Sequence, residues 1–246
     1  MFTITKRELG GFLKGWRGYV FISIFTLIFS IFHFIYQGHD IHEIELLNMD
    51  GVYTFYILEQ TLEMLPLAFA AAIPLLTFDI FHNERSTGVG ELLRSLPFNV
   101  RDIFAGKFVA CEIMFVMAYA LVNAVALLLG LYKSIEIAKI LIITLSYLLV
   151  CNALLAINLF IAAACKRRMV ALGASYGVCI LLWVLFLIGS KNTGVVANIF
   201  SLVSVIGTFT PSLYGVLDLS ALTLQITVCG AFTFLGYKYF KKDMTI

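Results

Sequence analysis

Residues 84–107 read ERSTGVGELLRSLPFNVRDIFAGK and lie between two long apolar runs. Val89, Leu92, Leu93 and Leu96 fall on one helical stripe, flanked by Glu84, Arg85, Glu91, Arg94 and Ser95. Pro97 stops this helix, because its ring has no N–H and clashes with the preceding turn. Asn99 then reads as the N-cap of a helix that continues into the next apolar run. The chemistry of such a hook is recognition. Its apolar stripe needs a cover, either lipid headgroups or a groove on a partner, and periodicity fits both.

Bond-making chemistry is not expected on this chain. Gly106–Lys107 is its Gly-Lys pair, and Phe108 follows where a phosphate-binding loop needs Ser or Thr. ATP hydrolysis is therefore assigned to another chain, and no cofactor or metal is expected here. The five cysteines, Cys111, Cys151, Cys165, Cys179 and Cys229, lie in or beside apolar runs with no Cys-x-x-Cys pair, so they read as packing residues. His39 and His42 share an acidic stretch with Asp40 and Glu43 and are the one ligand-like histidine cluster; they are read as part of a flexible polar loop rather than a metal site. Glu112 and Asp79 are expected near the inner membrane surface, paired with Lys107 or Arg101. Asn123, Asn152 and Asn158 are expected to bond between helices.

The elements that position these residues follow from composition. The chain has 246 residues, 61% hydrophobic and only 13% charged; its mean hydropathy is +0.97. A soluble protein is about half apolar and about a quarter charged, so lipid is the expected solvent. The net charge of +2 gives no sign of a nucleic-acid partner. Runs long enough to cross a bilayer suggest six spans, near 18–37, 62–81, 108–131, 138–164, 169–189 and 219–240. The first is read as a retained signal-anchor. The stretch 195–216 holds Asn198, Gly207 and Thr210–Pro211 and is read as a re-entrant or surface-lying hairpin on the outer side. Residues 1–17 suggest an interfacial helix, with Leu9, Phe12, Leu13 and Trp16 facing lipid and Lys6, Arg7, Lys14 and Arg17 largely elsewhere.

Lys and Arg set the orientation. They concentrate before the first span, between spans two and three, at Lys166–Arg168, and in the tail at Lys238, Lys241 and Lys242. All these segments share one face when six spans are counted. That face is cytoplasmic and both termini are inside. Residues 37–61 hold Asp40, Glu43, Glu45, Asp50 and Glu59 with no Lys or Arg, as suits a translocated loop.

The series Glu84, Arg85, Gly88, Glu91, Leu92, Leu93 and Pro97, followed by Gly106–Lys107, resembles the E-R-x-x-G-x-x-E-x-L-x-x-x-P then G-K pattern of ABC-2 type transporter permeases. The resemblance extends over the whole chain, 1–246. It includes an amphipathic start with Lys6, Arg7 and Glu8, six spans, a broken outer hairpin and a short basic tail. Family members often have Thr where Val89 stands. The fold implied is all-α, one polytopic transmembrane domain. The resemblance makes residues 84–97 a cytoplasmic coupling helix docking on an ABC ATP-binding subunit. Glu84, Arg85, Glu91 and Arg94 would be its polar contacts, Leu92, Leu93 and Leu96 its apolar ones, with Gly88 and Pro97 shaping it. It implies ATP and Mg on that partner, and a second permease subunit, alike or different. It also implies membrane lipid around both, a bacterial cytoplasmic membrane, and export of a hydrophobic or amphipathic peptide, antibiotic or lipid-like cargo. A stand-alone secondary transporter and a non-transporting membrane anchor are the alternative readings.

Overall fold

The computed structural model describes residues 2–39, 61–82, 100–128, 137–191 and 204–245. Among these, every regular element is helical: α1 (Phe2–Lys14), α2 (Trp16–His39), α3 (Leu65–Thr77), α4 (Val100–Leu128), α5 (Ile137–Ala164), α6 (Arg168–Lys191), α7 (Thr210–Leu213) and α8 (Leu219–Thr245). Five helices are long and apolar enough to cross a membrane: α2, α4, α5, α6 and α8.

The second expected span is shorter than the sequence suggested. Its apolar helical stretch is Thr61–Thr77, and residues 78–81 form turns. Seventeen residues at 1.5 Å rise reach about 25 Å, against about 30 Å of hydrocarbon. Pro66 sits at the helix start, where a missing N–H costs nothing, while Pro74 lies inside and removes one donor. Elsewhere the boundaries follow the apolar runs. α4 begins at Val100, directly after Asn99, where the sequence placed the start of the helix that runs on into the third span.

α5 is the hub. It is 56% buried over its apolar window, against 17% to 39% for the other four. It is apolar all round and carries small residues such as Ala153, Ala156, Ala162 and Ala163, so neighbours approach from every side. α8 packs along it most extensively, with α3, α6 and α7 on other faces. Gly236 lets α8 come close to both α4 and α5: a Cβ there would stand 3.0 Å from Phe104 Cζ of α4 and 3.3 Å from Phe160 Cα of α5. An aromatic chain, Phe21–Phe69–Phe115–Tyr147–Phe209, ties α2, α3, α4, α5 and the 204–216 turns into one core. The described half of the expected hairpin, 204–216, consists of a 3-10 turn at Gly207–Phe209, then α7, then Gly215 at φ +77°. Ser204 Oγ donates to the Leu182 carbonyl at 3.4 Å, and Gln225 Nε2 donates to Thr208 Oγ1 at 2.7 Å. These short turns are covered by protein, with Val205, Ile206, Phe209 and Leu213 buried.

Candidate functional site at the ionic end of the bundle

The coupling-helix residues Glu84, Arg85, Gly88, Glu91, Leu92, Leu93, Arg94, Leu96 and Pro97 all fall outside the described residues, as do Asn99 and His42. The chain on both sides of that segment is described, and it is where the buried charges gather.

α1 lies across α4 and meets α2 at Gly15. Its buried face is Ile4, Thr5 and Phe12, with Leu9 packed against the core. This face is rotated from the stripe read in the sequence. Leu9 and Phe12, expected to face lipid, are packed against the protein instead, whereas Leu13 and Trp16 of the same stripe are exposed at 37% and 62%. The α1–α2 bend is tight because Gly18 has no side chain: a Cβ there would stand 2.6 Å from the Phe12 carbonyl oxygen.

Rotation of α1 places Glu8 toward α4. Lys107 reaches Glu8 Oε1 at 3.4 Å, donates to the Ile80 carbonyl at 2.8 Å, and sits 5.5 Å over the Phe81 ring. Its side chain is 1% exposed. Arg7 donates to the same Glu8 oxygen at 2.7 Å. Beside this pair, Arg17 at the foot of α2 meets Asp79 at 2.5 Å, and Asp79 is 5% exposed. Phe81 stacks on Phe104 at 5.8 Å and touches Phe240 at 4.9 Å, while Arg101 lies 5.7 Å over the Tyr237 ring. Residues 79–81, just before the 83–99 segment, and Arg101–Lys107, just after it, are thus bolted to α1, α2 and α8. Buried charges of this kind are costly unless paired and hydrogen-bonded, so they resist sliding. The arrangement is suited to transmitting displacement between elements.

Asp79 was expected on Lys107 or Arg101; it pairs with Arg17 instead. Glu112 was expected on Lys107 or Arg101; instead Asn152 Nδ2 donates to Glu112 Oε1 at 3.0 Å, linking α4 to α5. Lys107 is already held by Glu8 and Ile80, and Arg101 faces Tyr237. Asn158 donates within α5 to Leu154 at 2.9 Å and toward Cys179 Sγ of α6 at 3.7 Å, whereas Asn123 turns back to the Tyr119 carbonyl of its own helix. The Glu8–Lys107 contact spans 99 residues, and no local spacing rule announces it.

Catalytic or metal-binding groupings do not form among the described residues. No cluster of three His, Cys, Asp or Glu occurs there, and the five cysteines make no disulfide. Gly173-Ala174-Ser175-Tyr176-Gly177 has the spelling of a serine-hydrolase elbow. Ser175, however, is fully buried within α6, whereas an elbow needs a strand-to-helix turn that exposes the hydroxyl.

Among the described residues, four long apolar helices around a fifth, buried one, with a charged clamp at one end, define a multi-pass membrane protein whose working parts are packing and ion pairs. The chain belongs to the ABC-2 family transporter proteins, whose family model matches residues 2–240. It is accordingly a transmembrane component of an ABC transporter. No curated protein sequence matches it.

Proposed function

We propose that this chain is the permease subunit of an ATP-driven exporter, powered through residues 84–97 by a separate ATP-binding subunit that carries ATP and Mg. The family match over residues 2–240 carries this reading. The ionic clamp supports it. A partner gripping residues 84–97 would pull on Asp79–Phe81 and Arg101–Lys107, and both ends are tied to α1 and α2 by buried charge. A ligand-driven switch needs contacts that differ between two states, so the coupling helix must engage its partner in both, but differently. Both termini are cytoplasmic in this reading, in a bacterial cytoplasmic membrane.

A second permease, alike or different, would complete the cargo path. On α6 an exposed stripe includes Val170, Gly173, Gly177, Ile180, Leu181 and Val184. The Gly-x-x-x-Gly spacing within it lets another helix approach closely in lipid. The cargo class that suits an apolar bundle is a hydrophobic or amphipathic peptide, antibiotic or lipid-like molecule.

The test is copurification with the ATP-binding subunit and ATP-driven transport after Glu91→Lys and after Leu93→Asp. Loss of assembly, or assembly without transport, is the expected result. Unchanged assembly and transport in both variants would remove the coupling role from this segment. A stand-alone secondary transporter would instead move cargo in proteoliposomes without ATP, and an anchor would move none.

A further inference from the structure

α5 and α8 run in the same direction. Ser146 and Ala221 border one small gap toward their N-terminal ends. Further along, Phe160 meets Phe232 and Tyr239 with ring centroids 5.5 Å and 5.6 Å apart. The C-terminal ends of the two helices therefore stand together. They lie at the end of the bundle that carries the ion pairs, where Phe104 of α4 packs against Tyr237 and Phe240.

Helix length sets the depth of the side chains there. Nineteen residues separate Leu219 from Lys238 on α8, about 28 Å of helical rise, close to the thickness of the hydrocarbon layer. Lys238 thus stands where acyl chains give way to headgroups, with Tyr239 next to it. Just below it Phe234 and Leu235 are exposed, at 65% and 37%. Lys166, Arg167 and Arg168 follow the last turn of α5 and are also exposed. With Phe160 level with Gly236, they reach about 5 Å beyond Lys238, within a headgroup layer about 5–7 Å deep.

These cations are not neutralised by the protein around them. Among the described side chains, the carboxylates of this end are Glu8, Asp79 and Asp102. Glu8 is held by Lys107 and Arg7, and Asp79 by Arg17. Lys166, Arg167, Arg168 and Lys238 make no ion pair among the described residues. A space of about 660 Å³ lies against this stretch of α8, with Leu235, Lys238 and Tyr239 in its wall. Lys241 and Lys242 border it as well and already have partners. An apolar wall, then a tyrosine and a lysine, then three cations at headgroup height match the layers of an anionic phospholipid. A zwitterionic lipid brings the same phosphate with an ammonium group that these cations repel.

We propose that the shared end of α5 and α8 binds an anionic phospholipid. Lys238 holds the phosphate, Lys166–Arg168 meet the outer headgroup, and an acyl chain lies on Phe234 and Leu235. The site needs no ATP-binding subunit and is measured on the full chain alone, so failure of the coupling experiment would leave it standing.

The experiment titrates the full chain, purified in detergent, with dioleoyl phosphatidylglycerol or dioleoyl phosphatidylcholine and counts bound lipid by native mass spectrometry. Phosphatidylglycerol is expected to bind about tenfold tighter or more, since one cation beside an anionic headgroup changes binding about fivefold. Glycerol phosphate, the headgroup without its chains, should not displace it. Lys238→Gln, and Lys166→Gln combined with Arg167→Gln, should each weaken phosphatidylglycerol binding about fivefold or more and leave phosphatidylcholine unchanged. Lys14→Gln removes an exposed cation of α1 and should leave the preference intact. The proposal is overturned if the two lipids bind alike, if glycerol phosphate displaces the lipid, if either cation variant keeps the parent's preference, or if Lys14→Gln weakens it as much as Lys238→Gln.

Discussion

Replacing Arg17 with Met removes one charge of the Arg17–Asp79 pair while keeping most of the apolar stem. Asp79 is left at 5% exposure with its charged partner gone. Two unit charges about 4 Å apart attract by about 4 kcal/mol at an effective dielectric near 20. Removing one member of a buried pair costs about 3–5 kcal/mol, because the survivor stays desolvated. Arg17 is 25% exposed, so water reaches the pair and the lower end applies, about 3 kcal/mol. For a chain of this size that corresponds to a fall in melting temperature of about 6–12 °C. Thermal unfolding in detergent, followed by tryptophan fluorescence, reads it. Trp16 adjoins the pair in sequence and Trp183 reports from α6. Arg17→Met combined with Asp79→Asn should recover about 2 kcal/mol of the summed single losses, since neither member of this pair is then charged. An unshifted single variant, or a double variant whose loss equals the sum of the singles, would refute the account of the clamp.

Gly18→Ala should destabilise the α1–α2 bend by about 1–3 kcal/mol, because its methyl would meet the Phe12 carbonyl at 2.6 Å and Met114 Cε at 2.9 Å; proteolytic release of the N-terminal segment measures it. A double-mutant cycle of Glu8→Gln and Lys107→Met should return a coupling energy of about 1 kcal/mol, the low end for contacting residues, because the contact is 3.4 Å and Arg7 shares the carboxylate; a cycle that closes at zero would show that Glu8 does not help to hold Lys107. Asp218 caps α8: its Oδ1 accepts from the Ser220 hydroxyl at 2.8 Å and the Ser220 backbone N–H at 2.9 Å, and these bonds hold its carboxyl below the ordinary range. A depressed folded pKa contributes stability above the unfolded value near 3.9 and loses it as pH falls through the folded value. The melting gap between wild type and Asp218→Ala should therefore be constant near neutral pH and narrow in acid below about pH 4.

The helical class and the placing of the spans were legible because lipid imposes a length and an apolar composition that one-dimensional reading detects. The run 138–164 and the helix Ile137–Ala164 differ by one residue at one end. The second span was misjudged in length, because hydropathy does not register the turn geometry of residues 78–81. In α1 periodicity found an apolar face and gave it to lipid, and only the position of α4 shows that Leu9 and Phe12 are packed together with Ile4 and that Glu8 meets Lys107. Glu112 shows the same limit. A carboxylate in an apolar run announces that it needs a partner, yet nearest-in-sequence Lys107 was the wrong choice, because Glu8 and the Ile80 carbonyl already hold that lysine.

Composition by itself determined a polytopic helical protein, since it reflects the chain's solvent, and the Glu84–Pro97 pattern carried the resemblance to ABC-2 permeases, the family whose model matches residues 2–240. Tertiary structure decided which charges meet, which helix is the hub, and that Glu63, Gly189 and Gly207, drawn from segments 126 residues apart at the nearest and 144 at the farthest measured from Glu63, enclose one cavity. Such contacts arise when helices pack in a particular rotation and register, and that choice is made by the sum of many side-chain fits that no single stretch of sequence contains.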